Sequence, residues 1–289
     1  MRTGWLGIDT VDFRLLDALR REPLATHARL AQVIERSPSS VRRRLAALQD
    51  AGVLTGFVAL PAPSLLGVEG VAATWATSAP TAGLLALPGT IMAGNSIRGG
   101  TLAGAYTPSA DAWVEAASAI VGAPPTTRSD LDQYEGPVPG PLDLRVTRAM
   151  VEAPRGSAEE LAERCGLSAK TVRKRRAALL EAGAVKVIPL VRTGATDDLL
   201  YHLHVTCEPE QRAAVLALLG EEFSASQDDD PILCAFVRPP SLAAQARTIA
   251  GIEALGVEKV EVIHEDEWEI QREALLAAVD AALAGWKRS

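Results

Sequence analysis

Apolar residues recur at helical spacing in three successive blocks near the start of the chain. Phe13, Leu16 and Leu19 share one face, and Pro23 ends that helix, because proline lacks an amide and clashes one turn back. Leu30, Ala31, Val33 and Ile34 predict a short second helix, followed by a turn at Glu35-Arg36. Ser37 then opens a third: serine at the cap with Pro38 in the first turn is a strong start signal. Val41, Leu45 and Leu48 form its inward stripe and Gly52 ends it. The period then drops to two in LTGFVALP (54–61), which predicts a strand and a short hairpin.

The pattern returns 131 residues later. Residues 11–54 align without a gap on 142–185, with about a third of the positions identical, as an internal duplication would produce. Asp12 falls on Asp143, Ser37 on Ser168, Arg44 on Arg175 and Gly52 on Gly183. The same shift places LAGAYTP (102–108) on LCAFVRP (233–239) and VKVIPLVR (185–192) as the second alternating strand. EGPVPGP (135–141) reads as the linker between the copies. Further on, 199–206, 232–238 and 257–263 read as strands, with helices over 209–223 and 241–255. DLDQYEG (130–136) reads as a frayed edge at the corresponding end of copy one. The tail 269–286 is amphipathic, with Ile270, Leu275, Leu276, Val279 and Leu283 in one band, and either packs within the chain or joins two chains.

Charge sharpens this picture. The net charge is −7, which argues against an overall basic coat, but phosphate binding needs only a local basic stripe. The outward face of the third helix is expected to carry Ser39, Ser40, Arg42, Arg43 and Arg44. The equivalent helix in copy two carries Lys170, Thr171, Arg173, Lys174 and Arg175. Short hydroxyls at a helix start, then guanidinium groups, suit a recognition helix, whose first turns approach base edges and phosphates. Both copies therefore open with a helix-turn-helix pattern, and duplex DNA is the expected partner. Lys186 and Arg192, on the strand that follows, are either phosphate contacts or plain surface charge. Arg176 stands where copy one has the inward Leu45.

The remaining chemistry is sparse. Cys165, Cys207 and Cys234 are odd in number and widely spaced, which fits buried thiols in a reducing cytoplasm and no metal knuckle. With no long apolar run, a cytoplasmic chain without a membrane partner is expected. No nucleophile triad, phosphate loop or dinucleotide fingerprint is legible, so the expectation is a protein that is not an enzyme, with no catalytic residue, cofactor or metal. His202 and His204, two apart on a strand, share its open face. The 131-residue shift puts Val71, Ala73 and Trp75 on the open face of copy one. Trp75, His202 and His204 would then line a ligand cavity between the copies, the alternative being an interface with satisfied histidines. His264 has the wrong parity to join them, and Asp228-Asp229-Asp230 reads as a solvated turn.

IDTVDFRLLDAL (8–19), SPSSVRRRLAALQDAGVL (37–54), TGFVALPAPSLLG (55–67) and VAATWAT (71–77) together resemble the leucine-responsive regulatory protein/AsnC (Lrp/AsnC) family of transcription regulators; copy two resembles it through 157–185. The resemblance implies an α+β fold in which two winged helix-turn-helix units (1–58 and 137–192) alternate with two ferredoxin-like βαββαβ units of RAM type (59–136 and 193–289, the latter with a C-terminal helix). It also implies sequence-specific DNA binding, a small-molecule effector such as an amino acid, and a homo-oligomer, a dimer of fused pairs. The family's Gly-x-x-Asp turn is not matched: Thr101 stands at the aspartate position in RGGTLAG (98–104), and SQDDDPILC (226–234) has no glycine. The alternative is an enzyme similar to the sirohaem decarboxylases of haem biosynthesis, which share this two-part architecture and in which the helix-turn-helix is a scaffold remnant. His202 and His204 opposite Trp75 favour that alternative; basic recognition helices in both copies oppose it.

Overall fold

The computed structural model describes every residue except 1–6, 97–99, 132, 133, 135, 137, 138, 196–199, 220–222, 226–231, 264 and 287–289. Three helices come first, α1 (Thr10–Arg21), α2 (His27–Val33) and α3 (Pro38–Asp50), then strand β1 (Leu54–Pro61) and a 3₁₀ turn at Pro63–Leu66. A βαββαβ run follows: β2 (Glu69–Trp75), α4 (Thr81–Leu85), β3 (Thr90–Ser96), β4 (Thr101–Thr107), α5 (Ala110–Val121) and β5 (Thr127–Asp130). The order then recurs with α6 (Pro141–Glu152), α7 (Ala158–Cys165), α8 (Ala169–Glu181) and β6 (Val185–Val191). A second βαββαβ run comprises β7 (Tyr201–Thr206), α9 (Pro209–Leu219), β8 (Phe223–Ala225), β9 (Ile232–Val237), α10 (Leu242–Glu253) and β10 (Lys259–Ile263). Strand β11 (Glu265–Ile270) and helix α11 (Arg272–Trp286) close the described chain.

The helix starts obey local capping chemistry. Asp9 accepts from the Asp12 amide while the Asp12 carboxylate accepts from the Asp9 amide, so two orphan donors are satisfied reciprocally. Thr26, Ser37, Ser157 and Ser168 cap α2, α3, α7 and α8 from one side only, each accepting from the amide three residues on. Each of the two larger sheets contains the ferredoxin-like strand order, β5-β2-β4-β3 in one and β10-β7-β9-β8 in the other. The fold is thus α+β, with winged helix-turn-helix and ferredoxin-like segments alternating along the chain.

Compactness does not follow chain order. One compact unit joins Met1–Gly56 to Val191–Asp266, so α1–α3 pack with the second sheet. The other joins Phe57–Leu190 to Glu267–Ser289, so α6–α8 belong with the first sheet. In the first unit Phe13 of α1 stacks on Phe236 of β9, centroids 5.5 Å apart and planes within 16°. In the second, β11 extends the first sheet beside β3, and α11 packs on α6, with Leu275 and Val279 buried. Arg148 of α6 meets Asp280 of α11 at 2.6 Å. Of the two alternatives for the tail, the contacts described are those within the chain.

Two expectations need correction. The strands after the recognition helices do not each fold back into a hairpin: β1 and β6 pair with one another. The Ala62 amide donates to Ala184 at one end and the Arg192 amide to Val53 at the other, so the pair is antiparallel. Pro61 and Pro63 lack the amides that a return strand would need, and a 3₁₀ turn follows instead. The second correction concerns Trp75. Val71, Ala73 and Trp75 point into the core under α5, with Trp113, Val114 and Ala117. Their counterparts under the helices of the other sheet are Tyr201, Leu203 and Val205. The strand shift is therefore even rather than the odd 131, and a one-residue slip moves every side chain to the opposite face.

Candidate nucleic-acid interface

Helix α3 buries Val41, Leu45 and Leu48, which rotates Ser39, Arg42 and Arg43 into solvent and leaves Ser40 half-buried. The Ser37 hydroxyl accepts from the Ser40 amide at 3.2 Å and lies 3.0 Å from the Ser39 hydroxyl. Helix α8 repeats the arrangement: Val172 and Leu179 are buried, while Lys170, Arg173 and Lys174 are exposed and Thr171 half-buried. Ser168 accepts from the Thr171 amide at 3.1 Å. Among the described residues Arg42, Arg43, Lys170 and Lys174 have no ion-pair partner, and Arg173 only a long exposed contact, 3.6 Å to Glu159. Two helix N-termini thus carry solvent-facing cations beside their first amides, an arrangement that attracts phosphate.

The structure places Arg44 and Arg175 elsewhere. Arg44 turns back on α1, where one Nη lies 2.8 Å from Asp12 and 2.9 Å from Asp9; the Asp12 side chain is only 4% exposed. Arg175 does the same to Asp143 of α6, at 2.8 and 2.9 Å. The same carboxylate therefore caps the first helix and holds the third. Burial pushes the Asp12 pKa up, opposed by the Arg44 hydrogen bond and reinforced by the Asp9 charge, and it ends raised. Burial also pushes Asp9 upward, but the Asp12 amide and the Arg44 guanidinium outweigh it, and its pKa is lowered. Sequence reasoning grouped both arginines with the outward run; the usable signal was that Asp12 and Arg44 recur together, as Asp143 and Arg175. Arg176 also departs from its counterpart: Leu45 is buried, whereas Arg176 is half-buried and donates to the Gly156 carbonyl at 2.7 Å.

The charge distribution is lopsided. Residues 8–55 carry eight Lys or Arg and six Asp or Glu, a net +2, and residues 141–186 carry ten and six, a net +4. With −7 for the whole chain, everything outside these stretches carries −13.

The histidines have a different setting. They lie on the β7 face opposite the helices, as expected, but that face is covered. The His202 ring is 5.2 Å from that of Phe236, which stacks on Phe13. Burial, then His204 and Arg20, lower the His202 pKa to about 3. Burial also lowers that of His204, with Glu261 opposing and Lys259 adding. Trp75 faces the helix side of its own sheet and donates its indole N–H to Ser118 at 3.2 Å, so the three residues do not line the expected cavity. Thr101 is buried, accepting from the Ala79 amide at 2.9 Å and donating to Asn95 at 2.8 Å. His264 and Asp228–Asp230 lie outside the described residues. Among the described residues no cluster of three or more metal-binding side chains occurs, and no helix is long and apolar enough to cross a membrane.

Comparison with known proteins places this geometry. The family model for winged helix-turn-helix DNA-binding segments matches residues 8–55 and 141–186. No curated protein matches the chain. Among solved structures the chain is similar to the siroheme decarboxylase NirDL, with a TM-score of 0.51, 12% identity and coverage of 96% of this chain and 99% of that one. It is also similar to the transcriptional regulator NMB0573 of Neisseria meningitidis, solved with L-Met (TM-score 0.31, 20% identity, 45% of this chain and 93% of that one). A third is the AsnC-family regulator PF0864 of Pyrococcus furiosus (0.29, 17%, 43% and 87%). At these identities the likeness is one of fold. The expectation that the chain is not an enzyme is corrected accordingly, because a structure matched nearly end to end is that of an enzyme. The chain carries two winged helix-turn-helix DNA-binding segments, on an architecture that it shares with a decarboxylase.

Proposed function

We propose that this protein is a DNA-binding transcription regulator of the Lrp/AsnC type, gripping duplex DNA with the outward faces of α3 and α8. The observation that carries this reading is the pair of exposed cationic faces, Arg42-Arg43 and Lys170-Arg173-Lys174, inside positively charged segments of an otherwise acidic chain. In this reading Ser39, Ser40 and Thr171 sit nearest the base edges, and the guanidinium and ammonium groups take guanine edges or phosphates. Regulators of this type respond to small molecules such as amino acids, and an effector of that class is part of the proposal.

The test is selection of duplexes from a random library, followed by affinity measurements across a salt series. Each phosphate contact steepens the fall of log affinity with log salt by about 0.9. Arg42→Ala combined with Arg173→Ala, both at exposed positions, should flatten that slope by about 1.8. An unchanged slope and affinity would remove the assignment.

A second reading is kept because of the end-to-end likeness to the decarboxylase structure: a decarboxylase acting on a sirohaem-like tetrapyrrole. Anaerobic incubation with sirohaem should then yield products lighter by the mass of carbon dioxide. Turnover without duplex binding would replace the first reading by the second.

A further inference from the structure

We infer that the two helix-turn-helix units contribute unequally, the second supplying the larger share of phosphate binding. This rests on the DNA-binding reading above and goes beyond it by ranking the two surfaces. Three observations carry it. First, α8 exposes three cations, Lys170, Arg173 and Lys174, where α3 exposes two, Arg42 and Arg43. Second, the ion pairs behind the recognition helices differ. Arg175 faces Asp143, a balanced pair, because Gly140 stands at the cap position that Asp9 holds in the first unit. Arg44 faces both Asp9 and Asp12, leaving one negative charge in excess, and the Asp9 side chain is 53% exposed. Third, Arg176 directs its guanidinium at the neutral Gly156 carbonyl, so a positive charge persists where the first unit has Leu45. The acidic side chains of α7, Glu159, Glu160 and Glu163, work the other way, but they are already included in the balance of +4 against +2.

An exchange of one charge tests this without touching the recognition faces. Asp9→Asn keeps a good helix cap and removes the excess carboxylate. Gly140→Asp installs it in the second unit, where the backbone is extended (φ −83°) and the nearest neighbour of a Cβ is Asp143 at 3.6 Å. The probe is a labelled duplex of mixed sequence, titrated from low to physiological salt, with Gly140→Asn as the neutral control and circular dichroism to confirm folding. Asp9→Asn should tighten binding and Gly140→Asp weaken it, each by about two- to fivefold at low salt, the effect of one screened charge near the phosphates.

The ranking itself is read from two further variants. Neutralising Lys170, Arg173 and Lys174 to Gln should reduce the salt slope by about 2.7, against about 1.8 for Arg42 and Arg43 to Gln. Equal losses, or a larger loss from the first unit, would overturn the ranking while leaving DNA binding intact. A wild-type chain with no salt-dependent duplex binding would overturn both the ranking and the reading beneath it.

Discussion

His202 provides a direct test of how α1 docks on the second sheet. Its ring lies against Phe236 in the helix–sheet interface, and its pKa falls from an ordinary 6.5 to about 3. The folded protein therefore holds the ring neutral where the unfolded chain would protonate it. The stability this contributes is present in full above pH 6.5 and is lost as pH falls from there towards 3. Each pH step in that window is worth about 1.4 kcal/mol, giving about 2 kcal/mol lost at pH 5. The residue is half-buried rather than sealed, so partial solvation reduces this to about 1–2 kcal/mol. Urea unfolding at pH 7 and pH 5 measures the loss, and His202→Gln should remove its share while leaving that of His204. NMR titration of the ring follows the proton directly. A ring that titrates near 6.5 in the folded protein would refute the packing of this interface.

Three further outcomes follow from the packing. Phe13→Ala removes one ring of the Phe13–Phe236 stack, both residues at most 3% exposed, and should cost about 3–4 kcal/mol in urea unfolding; a loss under about 1 kcal/mol would mean that α1 is not seated there. Arg44→Met leaves Asp9 and Asp12 facing each other without their cation and should cost about 2 kcal/mol at pH 7. Because the buried Asp12 carboxyl then takes up a proton more readily folded than unfolded, that loss should shrink as pH falls towards 4, whereas Arg42→Met should change stability by less than about 0.5 kcal/mol at either pH. Gly122→Ala places a side chain at φ +75° with nothing near the new Cβ, so backbone strain alone should lower stability by about 1 kcal/mol, read as a fall in Tm.

The helices and their caps were legible in the sequence because their signals are local. Ser37-Pro38 and Ser168 mark starts, Gly52 and Gly183 mark ends, and the apolar stripe of each recognition helix needs only residues three and four apart. The cationic faces followed from the same periodicity, which placed Arg42, Arg43, Lys170, Arg173 and Lys174 outward. Arg44 and Arg175 sit at the border between stripe and solvent, where periodicity alone does not decide. A carboxylate 32 residues earlier in the chain decided it.

The strands show the other limit. Alternation announces that a segment is a strand but not which face meets the helices, and a single-residue difference in shift sent Trp75 to the side opposite His202 and His204. Partner choice was equally hidden. That β1 pairs with β6, and that α1 seats Phe13 on Phe236 of the distant β9, depends on shape and apolar area brought together across some 130 to 220 residues. Local sequence dictated each helix, its cap and its cationic face, because neighbouring residues make those interactions. Only the tertiary structure decided which sheet each helical unit covers, because that choice rests on burying apolar surface whose two halves lie far apart along the chain.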